Sequence, residues 1–259
     1  MKRHLLVAEL GRVPYEAAWE LQRRIQGRLI EQKLRRWAHG MEPDPLPDVL
    51  LLLEHPHVYT LGKSGKPQHL LLSPEQLAEI GATYVPIDRG GDITYHGPGQ
   101  IVGYPILDLD RYFTDIHRYL RTLEEVVIRT CADYGIQAGR IPRLTGVWVG
   151  AEKICAMGIK CSRWVTMHGF AFNVNPDLRY FGHIIPCGIA DKGVTSLERL
   201  LGKPIPMQEV QERLVEHFVT LFGITDWERH RDEEAWRALE RFQQEGPPVA
   251  PSREEGTAL

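Results

Sequence analysis

The fold class is decided by one stretch in the second half of the chain, GVWVGAEKICAMGIKCSRWVTMHGFAFNV (residues 146–174). It contains three strand-like runs, residues 147–149, 153–160 and 165–174, which are separated by short turns. Closely spaced runs of this kind are typical of strands that follow one another in a meander. We therefore predict a sheet that is mainly antiparallel or mixed, and we do not expect alternating β–α units.

Patterns on both sides of this stretch complete an α/β domain of the α+β type. Helices are predicted where apolar residues recur at helical spacing, over residues 15–37, 114–134, 206–222 and 233–242. Ser73, Pro74 and Gln76 carry the signature of a capping box, which opens a shorter helix that ends near Gly81. Further strands are predicted over residues 48–54, 83–88 and 100–109. We expect the helices to flank the sheet within one domain.

The composition is that of an ordinary soluble protein, with 43% hydrophobic and 25% charged residues in a chain of 259. The longest aliphatic run, residues 49–53, is far too short to span a membrane. Glu9 and Arg12 interrupt the apolar stretch at the N-terminus, so no secretory signal is expected. These observations predict a cytoplasmic protein, with an organellar protein whose presequence has been removed as the alternative.

The charge balance excludes one broad class of function. A net charge of −3 argues against general nucleic-acid binding, which usually requires a basic domain. A local exception is the polar face of the helix predicted over residues 15–37, which carries six basic residues: Arg23, Arg24, Arg28, Lys33, Arg35 and Arg36. This face is either simply solvated or a docking surface for an acidic partner.

Cys187 is the best candidate for a nucleophile among the four cysteines of the chain. It lies in IIPCGI, where Pro186 fixes the backbone before it and Gly188 leaves the sulfur uncrowded. The cysteines at positions 131, 155 and 161 fall in a predicted helix and predicted strands, where packing is the expected role. No pair has CxxC or zinc-site spacing, so we predict free thiols and no metal site.

A second candidate feature is the glycine-rich run RGGDITYHGPGQ (residues 89–100). Four glycines in so short a run indicate positive φ angles or a close approach of the backbone to another group. The run either lines a ligand pocket with Arg89 and His96, or forms a tight hairpin between two strands. It is neither a Walker loop nor a GxGxxG motif.

Two more candidates lie on the strands of the meander. Lys153 is surrounded by small apolar residues, and partial burial would lower the pKa of its amine and make it a usable acid or base. A lysine on the solvent face of a strand is the equally open alternative. His168 and Asn173 fit a strand that runs beneath a pocket, although a lone histidine in such a run is more often structural.

Taken in order along residues 50–197, these motifs resemble those of octanoyltransferases, the lipoyl(octanoyl) transferases of lipoate biosynthesis. The resemblance is carried by EHPHVYTLG (residues 54–62), the run at residues 89–100, KICAMG (153–158), HGFA (168–171) with Asn173, and PCG (186–188). It implies a single domain with a mixed, largely antiparallel sheet, similar to the catalytic domains of lipoate and biotin protein ligases. It also implies that residues 1–225 form the catalytic domain. Residues 226–259 lie outside the resemblance, and their own patterns predict a C-terminal helix and a disordered tail.

The resemblance implies an acyltransferase that needs no cofactor. Such an enzyme takes an octanoyl or lipoyl group from acyl carrier protein and passes it to a lysine of a lipoyl domain, through a thioester on cysteine. The acceptors are the E2 subunits of 2-oxoacid dehydrogenases and the H protein of glycine cleavage, and we expect a monomer. Cys155 and Lys63 are departures from the family in flanking positions.

The residue roles follow from the same resemblance. It places the nucleophile at Cys187 and its partner in proton transfer at Lys153, with His168 and Asn173 as supporting residues. The implied acyl-pocket residues are Arg89, Gly90, Gly91, Asp92, Ile93, Thr94, Tyr95, His96, Ala156, Met157, Gly158, Gly169, Phe170 and Ala171. The regions of Ile93, Tyr95, Met157 and Phe170 are expected to supply the apolar slot for an eight-carbon chain.

Two other functions remain to be separated from this one. A lipoate or biotin protein ligase would activate its acid with ATP and would need no nucleophilic cysteine. The setting of Cys187 argues against it, as does the absence of a sequence that we would assign to adenylate binding. A carrier-binding or scaffold protein without activity is the second alternative.

Overall fold

A mixed sheet of eight strands lies at the centre of the described part of the chain, residues 3–39, 46–185 and 193–244 of a computed structural model. In chain order the strands of these residues are β1 (His4–Arg12), β2 (Asp48–Glu54), β3 (Val58–Leu61), β4 (Thr83–Pro86), β5 (Ile93–His96), β6 (Gln100–Ile106), β7 (Gly139–Ile141), β8 (Leu144–Val149), β9 (Glu152–Ser162), β10 (Val165–Asn173) and β11 (Asp226–Arg231). The helices are α1 (Tyr15–His39), α2 (Pro74–Glu79), α3 (Ile116–Asp133), α4 (Leu197–Leu201), α5 (Met207–Phe222) and α6 (Asp232–Gln244).

The large sheet has the strand order β11-β1-β2-β6-β10-β9-β8-β7. β1 is parallel to both of its neighbours, β11 and β2, and every other adjacent pair is antiparallel. The predicted sheet, mixed and largely antiparallel, is therefore confirmed. The predicted meander is also correct, because β8, β9 and β10 are neighbours in the order of the chain.

The sheet is covered on both faces, which explains its continuous apolar strands. In β2, Leu50 and Leu52 belong to the core beneath α3 and α5, whereas Val49, Leu51 and Leu53 belong to the core beneath α1 and α6. All five side chains are fully buried. Because successive side chains of a strand point to opposite faces, a run without polar residues fits only a strand that lies between two apolar layers.

The predicted helices and the capping box of α2 are confirmed, with ends that shift by a few residues. Ser73 Oγ accepts a hydrogen bond from the backbone N–H of Gln76, and the Gln76 side chain accepts one from the Ser73 N–H. The strand predicted over residues 48–54 matches β2 at both ends. The strand predicted over residues 100–109 stops at Ile106, because Asp108 caps a short 3-10 turn over Leu109–Arg111.

Sequence patterns did not indicate the pairing of β1 with β11. The sequence of β11, DWERHR, is charged, and it becomes a strand because Arg229 and Arg231 both pair with the buried carboxylate of Glu9 in β1. The predicted domain boundary at residue 225 thus falls immediately before an edge strand of the main sheet. The predicted disordered tail lies outside the described residues beyond Gln244.

A second, smaller sheet has the order β4-β3-β5. The strands that flank the glycine-rich run, β4 and β6, belong to different sheets, so the run does not form a hairpin between them and that alternative is wrong. The run folds back along residues 62–64 instead: the backbone N–H of Lys63 donates to Arg89 O at 3.0 Å and that of Ser64 to Gly91 O at 3.1 Å. The small sheet thereby fixes one wall of the candidate site.

On the basic face predicted for α1, Arg23 and Arg24 are exposed and Arg28 is half-buried. Lys33 is buried and pairs with Asp108 at 2.7 Å, so its predicted place on this polar face is wrong. The guanidinium carbon of Arg23 lies 3.9 Å from the centroid of the Trp19 ring, and Arg24 Nε lies 4.0 Å from a carboxylate oxygen of Glu20. Neither contact separates a solvated face from a docking surface, so both interpretations stay open. No helix within residues 3–39, 46–185 and 193–244 is long and apolar enough to cross a membrane.

Candidate active site

A cavity of about 480 Å³ opens between the glycine-rich run, strands β9 and β10, the start of α1 and the turn from β7 to β8. The sequence-predicted residues that line it are Arg89, Gly90, Gly91, Asp92, Ile93, Thr94, His96, Lys153, Ala156, Met157, Gly158, His168, Gly169, Phe170, Ala171 and Asn173. Residues not predicted from sequence that also line it are Tyr15, Gln100, Tyr104, Leu120, Arg143, Leu144, Thr145, Ile159, Phe181 and Val194. Three separate segments that were singled out in the sequence, residues 89–100, 153–158 and 168–173, therefore meet around one cavity.

Tyr95 is the one predicted pocket residue of the glycine-rich run that does not line the cavity. Its ring is fully buried in the small-sheet core and stacks on Tyr180, with centroids 5.1 Å apart. Its hydroxyl lies 2.7 Å from His57 Nδ1. Tyr95 thus supports the wall from behind, and the apolar slot is lined by Ile93, Met157 and Phe170.

Arg89 joins the glycine-rich run to the small sheet. Its guanidinium is buried and donates to the backbone oxygen of Thr60 at 2.9 Å, to Thr60 Oγ1 at 3.0 Å and to Gly90 O at 3.0 Å. The N–H of Gly90 donates to Ile159 O of β9 at 3.0 Å. A Cβ on Gly158 would lie only 2.8 Å from Gly90 O, so this close approach of the two backbones requires glycine at position 158.

Lys153 is held in a fixed frame near the start of β9. Its backbone N–H donates to Gly193 O at 2.9 Å, and its backbone oxygen accepts from the Thr195 N–H at 3.0 Å. Its ammonium nitrogen lies 4.7 Å from the centroid of the Trp148 ring on β8, a cation–π arrangement. The side chain is half-buried and lines the cavity, which fits a lysine that serves the site better than one on a solvent-facing strand.

Cys187 lies outside the described residues, within residues 186–192. Both flanks of this segment are described. Before it, the Ile185 N–H donates to His69 O at 2.9 Å, and His69 in turn contacts the carboxylate of Asp92 at 2.6 Å. After it, Gly193 binds the backbone of Lys153. The described residues on both sides of the Cys187 segment are therefore close to the cavity. Ile185 is linked through His69 to the lining residue Asp92, and Gly193 is bonded to the lining residue Lys153.

The three described cysteines are poor nucleophiles, as their sequence context predicts. Burial raises the pKa of Cys131 to about 12 and raises the pKa of Cys155 well above its usual value. Burial also raises the pKa of the half-buried Cys161. The thiolate is the reactive form of cysteine, so each of these residues is an unreactive thiol near neutral pH.

A chain of hydrogen bonds links His96 to the segment that holds Lys153. His96 Nδ1 lies 2.9 Å from Gln100 Oε1, and Gln100 Nε2 donates to Asn173 Oδ1 at 2.9 Å. Asn173 Nδ2 then donates to Thr195 O at 3.0 Å. Because the Gln100 amide nitrogen is already used as a donor, its oxygen accepts, and His96 carries its proton on Nδ1. Burial lowers the pKa of His96 well below its usual value, so this ring is neutral.

His168 supports the opposite wall of the cavity. Its Nε2 lies 2.9 Å from Asp88 Oδ1, and Lys160 Nζ lies 2.5 Å from the other oxygen of the same carboxylate. Although Asp88 is partly desolvated, its bonds to Lys160 and His168 lower its pKa to about 2. Burial lowers the pKa of His168 to about 4, so a neutral His168 donates from Nε2. His168 has a φ of +58°, which marks a locally strained strand position.

Sequence patterns missed a second polar chain, formed by Tyr15, Tyr104 and His55. His55 is fully buried, with Nδ1 2.7 Å from Val13 O and Nε2 2.7 Å from the Tyr104 hydroxyl. Burial lowers the pKa of His55 to about 4, so the ring donates from Nδ1 and accepts from Tyr104. The Tyr15 ring packs against the His55 ring, with centroids 4.9 Å apart. His55 belongs to the EHPH motif, which was the only sequence signal for this chain.

The neutral buried histidines predict a loss of stability in mild acid. In the unfolded state, His55 and His168 take up protons near pH 6.5, whereas in the folded state they do so only near pH 4. The free energy of unfolding therefore falls as the pH falls from about 6.5 to about 4. Each histidine is expected to contribute a loss of about 2 kcal/mol between pH 7 and pH 5. Asp48, whose pKa burial raises to about 6, opposes part of this trend.

The histidine contribution is isolated by comparing the wild type with His55→Gln in urea unfolding at the two pH values. Between pH 7 and pH 5, the free energy of unfolding of the variant should fall by about 2 kcal/mol less than that of the wild type. His117→Gln, a change at an exposed histidine of α3, serves as the matched control and should keep the wild-type difference. Equal pH dependence in His55→Gln and the wild type would contradict the assignment.

Comparison with known proteins identifies the family of this chain. A profile of the lipoyl protein ligase A/B catalytic domain matches residues 15–219. An octanoyltransferase of Cytophaga hutchinsonii is 55% identical over 229 residues, which cover 86% of this chain and 94% of that protein. An octanoyltransferase of Christiangramia forsetii is 54% identical over 228 residues, which cover 86% and 97%. The chain belongs to the octanoyltransferases.

Solved structures confirm the fold predicted for this enzyme. A crystal structure of lipoate-protein ligase A bound with ATP is 17% identical, covers 94% of this chain and 95% of that chain, and has a TM-score of 0.66. A bipartite lipoate protein ligase from Thermoplasma acidophilum is 18% identical, covers 94% and 93%, and has a TM-score of 0.60. The octanoyltransferase thus shares its fold with lipoate ligases. Within its described residues, no group of three or more His, Cys, Asp or Glu side chains is arranged to hold a metal ion.

Proposed function

We propose that this enzyme transfers an octanoyl group from acyl carrier protein to a lysine of a lipoyl domain, through a thioester on Cys187. The observation that carries the proposal is the position of Lys153. It lines a cavity with an apolar slot, and its backbone holds the residue that follows the Cys187 segment. The raised pKa values of the three described cysteines leave Cys187 as the thiol for this chemistry.

In the first half-reaction, Lys153 accepts the proton of the Cys187 thiol. The thiolate attacks the carbonyl carbon of the octanoyl thioester, and a tetrahedral intermediate forms. Its collapse breaks the bond between that carbon and the carrier sulfur, and Lys153 returns the proton to the departing carrier thiolate. The products are octanoyl-Cys187 and the free carrier thiol.

In the second half-reaction, the neutral amine of the acceptor lysine attacks the thioester carbon of octanoyl-Cys187. Lys153 accepts the proton that the amine loses and donates it to the sulfur of Cys187 as the carbon–sulfur bond breaks. An amide forms on the lipoyl domain and the free enzyme is restored. One amine thus serves as base and then as acid in each half-reaction, without an added cofactor.

The partners and the setting belong to the same proposal. The acceptors are the lipoyl domains of 2-oxoacid dehydrogenase E2 subunits and the H protein of glycine cleavage. The enzyme acts as a monomer. Its cysteines show no disulfide or zinc spacing, which fits the reducing cytoplasm in which we place it. Residues 1–225 supply the catalytic machinery, while β11 completes the main sheet and α6 packs against one face of it.

Intact mass spectrometry tests this function. Incubation with octanoyl acyl carrier protein should add one octanoyl group to the wild-type chain, and the adduct should disappear when a lipoyl domain is supplied. Cys187→Ser should form no thioester adduct, whereas Cys161→Ser, a change at a half-buried cysteine, should react as the wild type does. An ATP-dependent ligase would form no adduct on Cys187. A thioester adduct that persists in Cys187→Ser would also overturn the proposal.

A further inference from the structure

The turn between β7 and β8 carries a cation in an unfavourable backbone conformation. Ile141 pairs with Leu144, so Pro142 and Arg143 form the turn, and Arg143 has a φ of +68°. A proline followed by a residue with positive φ is the pattern of a type II turn, in which glycine is favoured at the second position. A side chain such as that of Arg143 is sterically disfavoured there. Strain of this kind is concentrated at ligand-binding positions.

Arg143 stands at the rim of the cavity. Its side chain is exposed and lines the cavity together with Leu144 and Thr145. Within the part of the chain that the structure describes, no carboxylate lies within ion-pair distance of its guanidinium. A strained, exposed cation with no carboxylate partner at a cavity rim is well placed to bind an anionic group from outside the protein.

The hairpin is anchored by Glu124 of α3, whose side chain is fully buried. Glu124 Oε2 accepts hydrogen bonds from Arg140 Nε of β7 at 2.8 Å and from Arg121 Nη1 at 2.7 Å. Glu124 Oε1 accepts from the backbone N–H of Gly146 in β8 at 3.1 Å. One carboxylate therefore binds both strands of the hairpin while lying outside the cavity itself.

The base of the same hairpin lies beside Lys153. Gly146 has a φ of +120°, and a Cβ at that position would lie 2.6 Å from Cys155 O and 3.6 Å from Lys153 Cε. The hairpin is consequently held close to β9, with no room for a side chain between them. A shift of Gly146 would change the position of Arg143 relative to Lys153.

The charged side chains around the cavity favour an anion. Among the described residues that line it, Arg89, Arg143 and Lys153 are cations and Asp92 is the only acid. The Asp92 carboxylate is already engaged with His69 Nδ1 at 2.6 Å. The described lining therefore has an excess of positive charge, which attracts anionic ligands.

We propose that the β7–β8 hairpin is a preformed binding arm for the acyl donor. Arg143 binds an anionic group that the donor carries beyond its thioester, and Glu124 is the positioning residue that holds the arm. The proposal rests on the proposed function, because it assumes an acyl donor that reaches Lys153. The anion is either a phosphate on the prosthetic group of the carrier protein, which bears the acyl chain, or a carboxylate on the surface of the carrier protein.

The test of Arg143 is steady-state kinetics of Arg143→Gln with three donors: octanoyl acyl carrier protein, octanoyl-phosphopantetheine and octanoyl-pantetheine. Loss of one charge-assisted contact should raise KM for the carrier about tenfold, with kcat within about twofold of the wild type. The KM for octanoyl-pantetheine, which has no anion, should not change. Arg237→Gln, at an exposed arginine of α6 near the opposite edge of the sheet, is the matched control and should behave as the wild type.

The donors also identify the source of the anion. A rise in KM for octanoyl-phosphopantetheine assigns Arg143 to the phosphate, and a rise for the whole carrier alone assigns it to acidic side chains of the carrier. An unchanged KM for the carrier, or an equal rise for octanoyl-pantetheine, would overturn the proposal. Failure of the wild type with all three donors would instead overturn the proposed function.

Glu124→Gln tests the positioning role. The amide keeps an acceptor for the Gly146 N–H but loses the charge that attracts Arg121 and Arg140. The variant should raise KM for the carrier as Arg143→Gln does, and it should have no further effect in the Arg143→Gln background. An unchanged KM in Glu124→Gln would leave Glu124 with a role in stability alone, and KM increases that multiply in the double variant would show that it does not act through Arg143. Either outcome would overturn the positioning role. If Glu124→Gln does not fold, Arg140→Gln provides the same double-variant comparison from the surface.

Discussion

Lys153→Met is expected to reduce kcat/KM for octanoyl transfer by about 10²–10⁴-fold, the usual contribution of a positioned acid–base group. Methionine keeps the apolar stem that packs beside Gly146 and over the Trp148 ring, but it has no proton to accept or donate. Formation of the Cys187 adduct and its discharge to the lipoyl domain should both be slowed, because Lys153 serves each half-reaction. Single-turnover mass spectrometry with the octanoyl carrier measures the two steps separately.

Lys203→Met is the matched control for this prediction. Lys203 is exposed in the connection between α4 and α5 and does not line the cavity. The control variant should keep wild-type rates in both steps. Retention of more than about a third of wild-type activity by Lys153→Met, in a variant that unfolds in urea as the wild type does, would refute the role given to Lys153.

Acyl chain length is expected to have the second largest effect. An octanoyl chain has four more methylene groups than a butanoyl chain, and each buried methylene contributes roughly 0.8 kcal/mol. If the slot lined by Ile93, Met157 and Phe170 buries the chain fully, the enzyme should prefer the octanoyl donor by about 3 kcal/mol, or about 200-fold in kcat/KM. A series of four-, six- and eight-carbon carriers measures this preference.

Ala156→Leu should shorten the slot, because the half-buried Ala156 lines the cavity opposite Ala171 of β10. The variant should reduce the preference for octanoyl over butanoyl by about tenfold or more, since the added atoms occupy the space of the last methylenes. Ala78→Leu, on the exposed face of α2, should leave the preference for octanoyl over butanoyl donors unchanged. An unaltered preference in Ala156→Leu would show that the acyl chain lies elsewhere.

Local patterns predicted the layers of this fold well, because the relevant information is local. The run in β2 is apolar on both faces, and only a strand between two cores fits it. The helices have apolar residues at helical spacing, and Ser73 with Gln76 marks the start of α2 through a contact three residues apart. Each of these signals can be read without knowing which segments meet in space.

Elements whose stability comes from distant partners could not be predicted in this way. The charged strand β11 forms because its arginines pair with Glu9 across the sheet, and nothing within DWERHR indicates that pairing. Glu124 gives no sequence signal, because its three hydrogen-bond donors come from α3, β7 and β8. Sequence order thus revealed the motifs of the site but not the residues that hold them.

Tyr95 shows a limit of a different kind. Ile93 and Tyr95 both lie on β5 at alternate positions, so strand periodicity places them on one face. Periodicity does not say how far along that face the cavity extends. Ile93 reaches the cavity, whereas two residues later the face is covered by the aromatic rings of Tyr180 and Phe181.

The pairing of β1 with β11 has a consequence for the order in which the protein is made. Glu9 and Arg229 are 220 residues apart in the chain, so at about 5–20 residues per second a ribosome needs roughly 10–40 s between them. During that interval β1 can pair with β2, but the carboxylate of Glu9 has no cationic partner from β11. One hydrogen-bonding edge of β1 and the Glu9 carboxylate therefore stay without their native partners until β11 has been synthesised.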